Sequence, residues 1–375
     1  LIRSTGAKSS RLLGQYLPDP GDETFSAHQR ALMLLAWRKN NPEDPTGLAI
    51  QSLKDPDATV RLLALKWISD EVILAAHGAV EAIVNNPPSP VLFHAAITAL
   101  ARLDGGDVDD NAIQKLIGER LKRDDVSVET KRAAFRVLAD RENFLSINDL
   151  RDLYASADVE LKIEIMLTLL VHKKREEAVA FAKEVRDDRA TPKRIIRFAR
   201  EVIGRPAAPL ADSEDYPAAN DLEGWTRFLA GVDLSNQTEV EIRDHGRVIF
   251  HRYCAACHRA DGFGKLGGPD LSTIHERGRE YILHSILEPG AEVAPQYEPW
   301  VITLEDRSSK MGFLLGQKAG KSVFADINGE EFVHDFKEIV KREQVPVSLM
   351  PPGLILQMSG GEIKALLEWL GAVRD

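Results

Sequence analysis

The chain has 375 residues but only two cysteines, no long apolar run and no surplus of positive charge. Two cysteines are too few for a disulfide-rich scaffold. The longest apolar stretches, such as residues 31–37, are far shorter than the roughly 18 residues of a membrane-spanning helix. The net charge is −10, and both parts of the chain, before and after residue 222, are mildly acidic. These scarcities argue against a transmembrane segment in this chain and against a nucleic-acid partner.

The residues that are present have an ordinary globular composition, with 44% hydrophobic and 28% charged residues. A chain of this length suggests two or three domains. The first residue is Leu1, and residues 1–10 lack the basic, apolar and small-residue regions of a signal peptide. We therefore expect a mature product or a fragment of a longer protein.

Residues 8–204 have a helical pattern, with apolar residues recurring at i, i+3, i+4 and i+7. The amphipathic segments also repeat, with gaps of 33, 32, 38, 31 and 33 residues between their central positions. These positions are Ala31, Ala64, Ala96, Ala134, Ile165 and Phe198. Such a period is typical of an α-solenoid of paired helices, and residues 57–61 resemble part of a HEAT repeat. We predict a mainly α protein with a HEAT-like repeat domain at 1–203, an ordinary helical bundle being the alternative.

The pattern changes after residues 204–222, which are rich in proline, alanine and acidic residues and are interpreted as a linker. Helices are predicted at 238–253, 280–287 and 359–373, the first and last with capping-box spacing. The predicted strands are Trp300–Leu304, Met311–Leu315, Ser322–Ile327 and Glu331–Asp335, with Asn328-Gly329 as a hairpin turn. We therefore predict a second domain at 223–375, with an antiparallel β insertion at about 299–340.

Both cysteines belong to one motif, Cys254-Ala-Ala-Cys257-His258. A C-x-x-C-H sequence is the attachment signature of c-type haem, because this spacing lets two thiols reach the two vinyl groups on one edge of the porphyrin. The alternatives are half of a zinc site and a thioredoxin-like redox pair. No further zinc ligands follow at short spacing, and a helix rather than a strand precedes the motif. We predict one covalent haem c on Cys254 and Cys257, with His258 as an axial ligand of the iron.

The residues around this motif resemble the class I cytochrome c fold. In that family a glycine and an aromatic residue of the first helix pack against the last helix, and here these are Gly246, Phe250 and a helix containing Trp369. A proline soon after the motif holds the proximal imidazole through its carbonyl group. The resemblance therefore implies that Pro269 accepts a hydrogen bond from His258.

The sixth iron ligand must come from the remaining methionines and histidines. Residues 348–353, Ser-Leu-Met-Pro-Pro-Gly, form a proline-fixed loop where class I cytochromes c carry their distal methionine, which implies Met350. Met311 is a second choice, and His275 or His284 would give bis-histidine ligation. The other methionines are interpreted as core residues: Met33, Met166 and Met358.

The two predicted iron ligands are 92 positions apart (258 to 350), far more than a small class I domain needs, and the β insertion supplies the surplus. Together with the strands, residues 280–289, 294–297 and 348–354 resemble the haem-binding domain found in planctomycetes and verrucomicrobia. There it often ends large secreted proteins, after a β-propeller dehydrogenase region and HEAT-like repeats. The resemblance thus implies an exported or periplasmic bacterial protein, in which a dehydrogenase domain or a partner protein supplies electrons.

A haem with histidine and methionine at both axial positions has no open coordination site, and methionine raises its potential. We therefore expect electron transfer, with the helical repeats as a scaffold, and favour a non-catalytic module of a larger oxidoreductase over an enzyme. A peroxidase and a redox-sensing scaffold are the alternatives. Residues 262–267 have nucleotide-loop glycine spacing, but no strand precedes them, so we interpret them as a loop around the haem. Arg277 and Arg279 face either a haem propionate or solvent.

Overall fold

The computed structural model describes residues 24–39, 45–138, 144–172, 174–204, 216–265, 267–326 and 330–373. These residues form fifteen α-helices and seven strands, and the strands all lie in the C-terminal part of the chain. The chain folds into two compact units, one up to Glu164 and one from Ile165 onward. None of the described helices combines the length and the apolarity that crossing a bilayer requires.

Eleven helices occupy the region in which the sequence predicts helical repeats. They are α1 (Ala27–Lys39), α2 (Pro45–Ser52), α3 (Ala58–Glu71), α4 (His77–Asn85), α5 (Pro90–Leu103), α6 (Asp110–Leu121), α7 (Val128–Leu138), α8 (Ile147–Ser156), α9 (Val159–Leu170), α10 (Arg175–Asp187) and α11 (Lys193–Ile203). The six repeat positions are all buried and lie on every second helix, from α1 to α11. In the first unit α1 packs on α3, α3 on α5 and α5 on α7. The predicted helical structure is confirmed, whereas the solenoid stays a prediction.

The boundary between the two units falls inside α9, so α10 and α11 belong to the second unit. The sequence predicts this boundary later, at the linker 204–222. Residues 205–215 of that linker lie outside the described part of the chain. The predicted domain limits therefore stay a prediction.

A buried ion pair links α1 to the loop before α3 in the first unit. The Arg30 guanidinium donates to both carboxylate oxygens of Asp55, each at 2.8 Å, and the two side chains are 7% and 0% exposed. Burial raises the pKa of Asp55, but the hydrogen bonds from Arg30 and from the Asp57 N–H, together with the charges of Arg30 and Arg61, outweigh it, so the pKa is lowered. The next acidic residue, Asp57, caps α3 by accepting from the backbone N–H groups of Thr59 and Val60. Polar residues thus define where this helix begins.

The second unit continues with four more helices. They are α12 (Leu222–Gly231), α13 (Glu239–Tyr253), α14 (Arg279–Leu287) and α15 (Gly360–Leu370). Both predicted capping boxes are confirmed, with Thr238 and Glu241 at the start of α13 and Ser359 and Glu362 at the start of α15.

Helices α13 and α15 cross in close contact at a glycine. A Cβ atom on Gly246 would overlap the carbonyl oxygen of Ala365 and the Cβ of Trp369, so a larger residue cannot occupy this position without a shift of the helices. One turn later the ring of Phe250 lies 4.8 Å from the ring of Trp369, and Phe250 is fully buried. This confirms the packing of Gly246 and Phe250 against the last helix, which the resemblance to class I cytochromes c implies.

A five-stranded antiparallel sheet separates α14 from α15 in the sequence, with the strand order β6-β5-β4-β3-β7. Its strands are β3 (Trp300–Leu304), β4 (Ser309–Lys318), β5 (Lys321–Ala325), β6 (Glu331–Asp335) and β7 (Ile339–Gln344). Two very short strands, β1 (Arg259–Ala260) and β2 (Phe263–Gly264), pair just after the cysteine motif. The four predicted strands are confirmed, and the predicted turn at Asn328-Gly329 lies outside the described residues.

Strand β7 was not predicted, and it carries the sheet past residue 340 to Gln344. It pairs with β3 alone, and its centre is the charged run Lys341-Arg342-Glu343. Charged residues are common on edge strands because they discourage further strand pairing, but they also hide the apolar alternation that predicts a strand. In the turn between β3 and β4, Arg307 adopts a φ of 69°, a conformation that glycine adopts at little cost.

Candidate haem-binding site

Helix α13 delivers the cysteine motif, since α13 ends at Tyr253 and Cys254 follows directly. The backbone N–H of Cys254 donates to the carbonyl of Phe250 at 2.8 Å, and the N–H of His258 donates to the carbonyl of Cys254 at 2.8 Å. These bonds continue the helical pattern for one more turn. The two cysteines and the histidine are therefore held by a helix end whose other face is packed on α15.

The His258 imidazole has a fixed orientation. Its Nδ1 lies 2.8 Å from the carbonyl oxygen of Pro269, and because a carbonyl can only accept, Nδ1 carries the proton. Nε2 is then the atom whose lone pair can bind a metal. A Cβ atom on Gly268 would lie 2.9 Å from Cε1 of the ring, so glycine gives the imidazole its space. Burial lowers the pKa of His258 below its usual value, although the bond to Pro269 opposes this, and the ring is kept in the neutral, metal-binding form.

The structure thus brings together two predicted site residues, Pro269 and His258. The role of His258 as an iron ligand stays a prediction. The sequence signal for Pro269 was the family resemblance alone, since the chain between the two residues has no pattern that predicts a hydrogen bond.

The two cysteines are partly buried and form no disulfide. Burial and the neighbouring Cys257 raise the pKa of Cys254 to about 12, and burial also raises the pKa of Cys257. Two thiols at this spacing, followed by an oriented imidazole, fit thioether attachment to a c-type haem.

His251, one turn before Cys254 on α13, was missed by the sequence reasoning. Its ring stacks on Phe263 at 3.5 Å between centroids, and within the described residues neither ring nitrogen has a hydrogen-bond partner. Burial, together with the charge of Arg247, lowers the pKa of His251 well below its usual value. No sequence signal distinguishes this histidine, because it is covered by Phe263 of β2, which follows the cysteine motif in the chain.

Met350 lies in the loop between β7 and α15, where it is partly buried, and its N–H donates to Ser348 Oγ at 3.2 Å. The loop leads into a short 3₁₀ helix, Leu354–Gln357. The Tyr253 hydroxyl donates to the carbonyl oxygen of Gln357 at 3.0 Å. The residue before Cys254 is thus tied to the segment that follows Met350, and the distal role of Met350 stays a prediction.

The other candidate ligands have different surroundings. Met311 is on β4, as predicted, and is 44% exposed. His284 is partly buried and lies 3.9 Å from Glu288. In contrast, the Nδ1 of His275 is buried and has no hydrogen-bond partner in the part of the chain that is described.

The remaining predicted residues are placed as follows. Arg279 pairs with Glu368 at 2.5 Å, and Arg277 lies over the ring of Tyr281. Of the three methionines predicted in the core, Met166 and Met358 are buried, and Met33 is only partly buried.

Comparison with known proteins gives a match of residues 244–300 to the cytochrome c family model. The chain contains a cytochrome c domain. The matched segment begins inside α13 and includes the motif, Pro269 and α14. The chain is also 32% identical, over 56 residues, to a cytochrome c-553-like protein of Synechocystis. This similarity covers 15% of the chain and 53% of that protein, so the chain spans about half of its length.

A cytochrome c domain implies a c-type haem with its iron. The residues of this domain fit such a group. Cys254 and Cys257 would hold it through two thioether bonds, and His258 would bind its iron through Nε2. The hydrogen bond from His258 to Pro269 orients the imidazole and raises its basicity as a ligand.

Proposed function

We propose that the cytochrome c domain transfers single electrons, with Cys254 and Cys257 attaching one haem c and with His258 and Met350 holding its iron. The observation that carries this proposal is the hydrogen bond from His258 Nδ1 to Pro269, because it leaves Nε2 as the only metal-binding atom of a fixed ring. A c-type haem supplies one-electron chemistry through its iron. The protein has to bind the haem, orient the His258 ligand and limit the access of small molecules to the opposite face of the iron.

Two contacts support Met350 as the second ligand. The Ser348 hydroxyl accepts from the Met350 N–H and restricts the backbone of the loop. The Tyr253 hydroxyl ties the downstream segment to the end of α13. A haem iron held by both His258 and Met350 would offer no site for peroxide or oxygen, which favours electron transfer over peroxidase activity.

We extend the proposal to the fold type of this domain, to the helical repeats and to the source of the electrons. The six buried positions on alternate helices support a HEAT-like scaffold, and the helix packing at Gly246 and Phe250 supports a class I cytochrome c fold. The sheet between α14 and α15 supports the planctomycete and verrucomicrobial type of domain. In this proposal the protein is exported, receives electrons from a dehydrogenase domain or partner, and uses the helical repeats to hold partners in place.

The visible absorption spectrum of the oxidised holoprotein tests the ligand set. We expect a weak band near the red end, which marks a bond between methionine sulfur and iron, and no turnover of peroxide. Met350→Ala should remove this band and leave the haem attached. Met311→Ala is the matched control, because Met311 is an exposed methionine of the same domain, and it should keep the band.

A band that survives in Met350→Ala would show that another residue binds the iron. Rapid peroxide turnover by the unaltered holoprotein, with a high-spin spectrum, would instead support the peroxidase alternative. Binding of a partner that differs between oxidised and reduced protein would support the redox-sensing alternative.

A further inference from the structure

The segment 268–271 is bonded at both of its ends to the cysteine motif and the residue after it. The Gly268 N–H donates to the carbonyl oxygen of Cys257 at 2.7 Å. The Leu271 N–H donates to the carbonyl oxygen of Arg259, also at 2.7 Å. These backbone hydrogen bonds hold the segment in a fixed position beside the motif.

Asp270 lies inside this segment, directly after Pro269. The carbonyl oxygen that accepts from His258 Nδ1 at 2.8 Å belongs to the peptide group that joins Pro269 to Asp270. Because a peptide group is planar, the Cα atom of Asp270 lies in the same plane as this oxygen, at a distance that covalent geometry fixes. The Asp270 side chain therefore starts next to the acceptor that orients the imidazole.

Neutral donors hold the Asp270 carboxylate. Its Oδ1 accepts from the Ser272 N–H at 2.9 Å and from the Ser272 hydroxyl at 2.6 Å. Among the described residues, no lysine, arginine or histidine forms a salt bridge with this carboxylate. The two bonds to Ser272 thus orient the carboxylate without cancelling its charge.

The charge of Asp270 acts on His258. Burial lowers the pKa of His258, whereas the bond to Pro269 and the charge of Asp270 both raise it. A negative charge that stabilises a proton on an imidazole also stabilises positive charge on a metal that the imidazole binds. Ferric iron carries one more positive charge than ferrous iron, so a carboxylate at this position favours the oxidised state.

Other charges lie near the cysteines. Burial raises the pKa of Cys257, and the charges of Lys265 and Asp326 act on this thiol in opposite directions. Removal of the Asp270 charge should change the reduction potential whatever the sum of these other charges, because electrostatic contributions to a potential add.

We propose that the Asp270 carboxylate lowers the reduction potential of the haem, on the basis of the proposed function in which His258 binds the iron. The carboxylate acts in two ways that have the same sign. Through space, it opposes the addition of an electron to the iron. Through the Pro269 carbonyl, it strengthens the hydrogen bond to His258 Nδ1 and so raises the basicity of the imidazole as an iron ligand.

Redox titration of the holoprotein at neutral pH, followed by its visible spectrum, tests this role. Asp270→Asn removes the charge but keeps an oxygen that can accept from Ser272, so the turn is preserved. At the midpoint potential of the unaltered protein, we expect the ratio of reduced to oxidised haem to be about threefold higher in this variant, which is a rise of about 30 mV. The difference should decrease as salt is added, because Asp270 is exposed and ions screen exposed charges. Asp270→Glu keeps the charge and should have a potential close to that of the unaltered protein.

The matched control is Asp306→Asn. Asp306 forms the same kind of turn by accepting from the Ser308 N–H at 2.8 Å, but it lies between β3 and β4, outside the segment that matches the cytochrome c family. This variant changes the net charge equally and should keep the potential of the unaltered protein.

The role of Asp270 is overturned if Asp270→Asn keeps the original potential, if Asp270→Glu shifts it as far as Asp270→Asn does, or if Asp306→Asn shifts it equally. When the unaltered protein has its haem attached and shows the methionine band, such a result leaves the proposed function in place. An unaltered protein that attaches no haem would overturn the proposed function and the role of Asp270 together.

Discussion

Both units of the chain contain buried or partly buried ion pairs between helices, but only in the second unit does such a pair lie beside the cysteine motif. In the first unit, the pair of Arg30 and Asp55 is almost inaccessible and joins helices that carry no recognisable chemistry. In the second unit, Arg252 of α13 contacts Glu201 of α11 at 2.6 Å and Glu362 of α15 at 3.0 Å, two residues before Cys254. The same kind of interaction therefore fixes helix packing alone in one unit, and helix packing next to a cofactor motif in the other.

The largest effect is expected from breaking the ion pair of the first unit, which should change the stability of the protein without changing its haem site. Arg30→Met leaves the Asp55 carboxylate buried without its partner, and we expect a loss of about 4 kcal/mol in the free energy of unfolding. Urea denaturation followed by circular dichroism measures this loss, while the haem spectrum under native conditions should not change. Arg38→Met is the control, because Arg38 pairs with Asp70 near the surface and should contribute less than about 1 kcal/mol. Equal losses in the two variants would contradict the role given to burial.

The helix crossing of the second unit should be nearly as sensitive. Gly246→Ala places a methyl group against the backbone of Ala365 and against Trp369, and we expect a loss of about 3 kcal/mol. The haem spectrum of the folded variant should also change, because α13 leads directly into the cysteine motif. Gly231→Ala, at the end of α12, meets no atom within 4 Å and is the matched control. A Gly246→Ala protein with unaltered stability would refute the close crossing.

A smaller effect on the free energy of unfolding is expected from the protonation of His251 as the pH falls. Because burial lowers the pKa of this residue in the folded protein, the unfolded chain takes up a proton first as the pH falls below about 6.5. The folded state then loses about 1.4 kcal/mol per pH unit until the folded-state pKa is reached. His251→Phe should lack this loss, so unfolding at pH 6.5 and 5.5 is compared in both proteins. Parallel pH profiles for His251→Phe and the parent would disprove the burial effect.

The smallest effect is expected in a turn of the sheet. Arg307 has a positive φ of 69°, so Arg307→Gly should relieve strain and stabilise the protein by about 1 kcal/mol or less. The melting temperature of the holoprotein measures it. A lower melting temperature would show that the arginine side chain contributes more than its backbone costs.

Much of the fold follows from local patterns. Strands β3 and β6 have the predicted bounds because both contain β-branched and aromatic residues, and the capping boxes of α13 and α15 are short-range signals. Strand β7 escaped prediction because Lys341 to Glu343 are charged, as suits an edge strand. Local sequence signals are thus reliable where a strand contains apolar residues, as in the edge strand β6, and weak where charged residues fill its centre, as in the edge strand β7.

The candidate site divides in the same way. Cys254, Cys257 and His258 are adjacent in sequence and form a motif with a chemical meaning. His251 and Arg252 could not be predicted as site neighbours, because their surroundings come from segments that are distant in sequence, such as the β1 and β2 pair and α11. Long-range packing determines which residues surround His251 and Arg252, and the spacing of residues in the sequence does not predict these contacts.

The central claim is that Cys254 and Cys257 attach one haem, and the intact mass of the protein tests it most directly. The chain should be produced with a bacterial haem c maturation system and measured by mass spectrometry under denaturing conditions. We predict a mass increase of one haem that persists on unfolding and is absent from the double variant C254S/C257S. A chain that is released unmodified after unfolding, or one that carries its haem in the double variant, would contradict the claim.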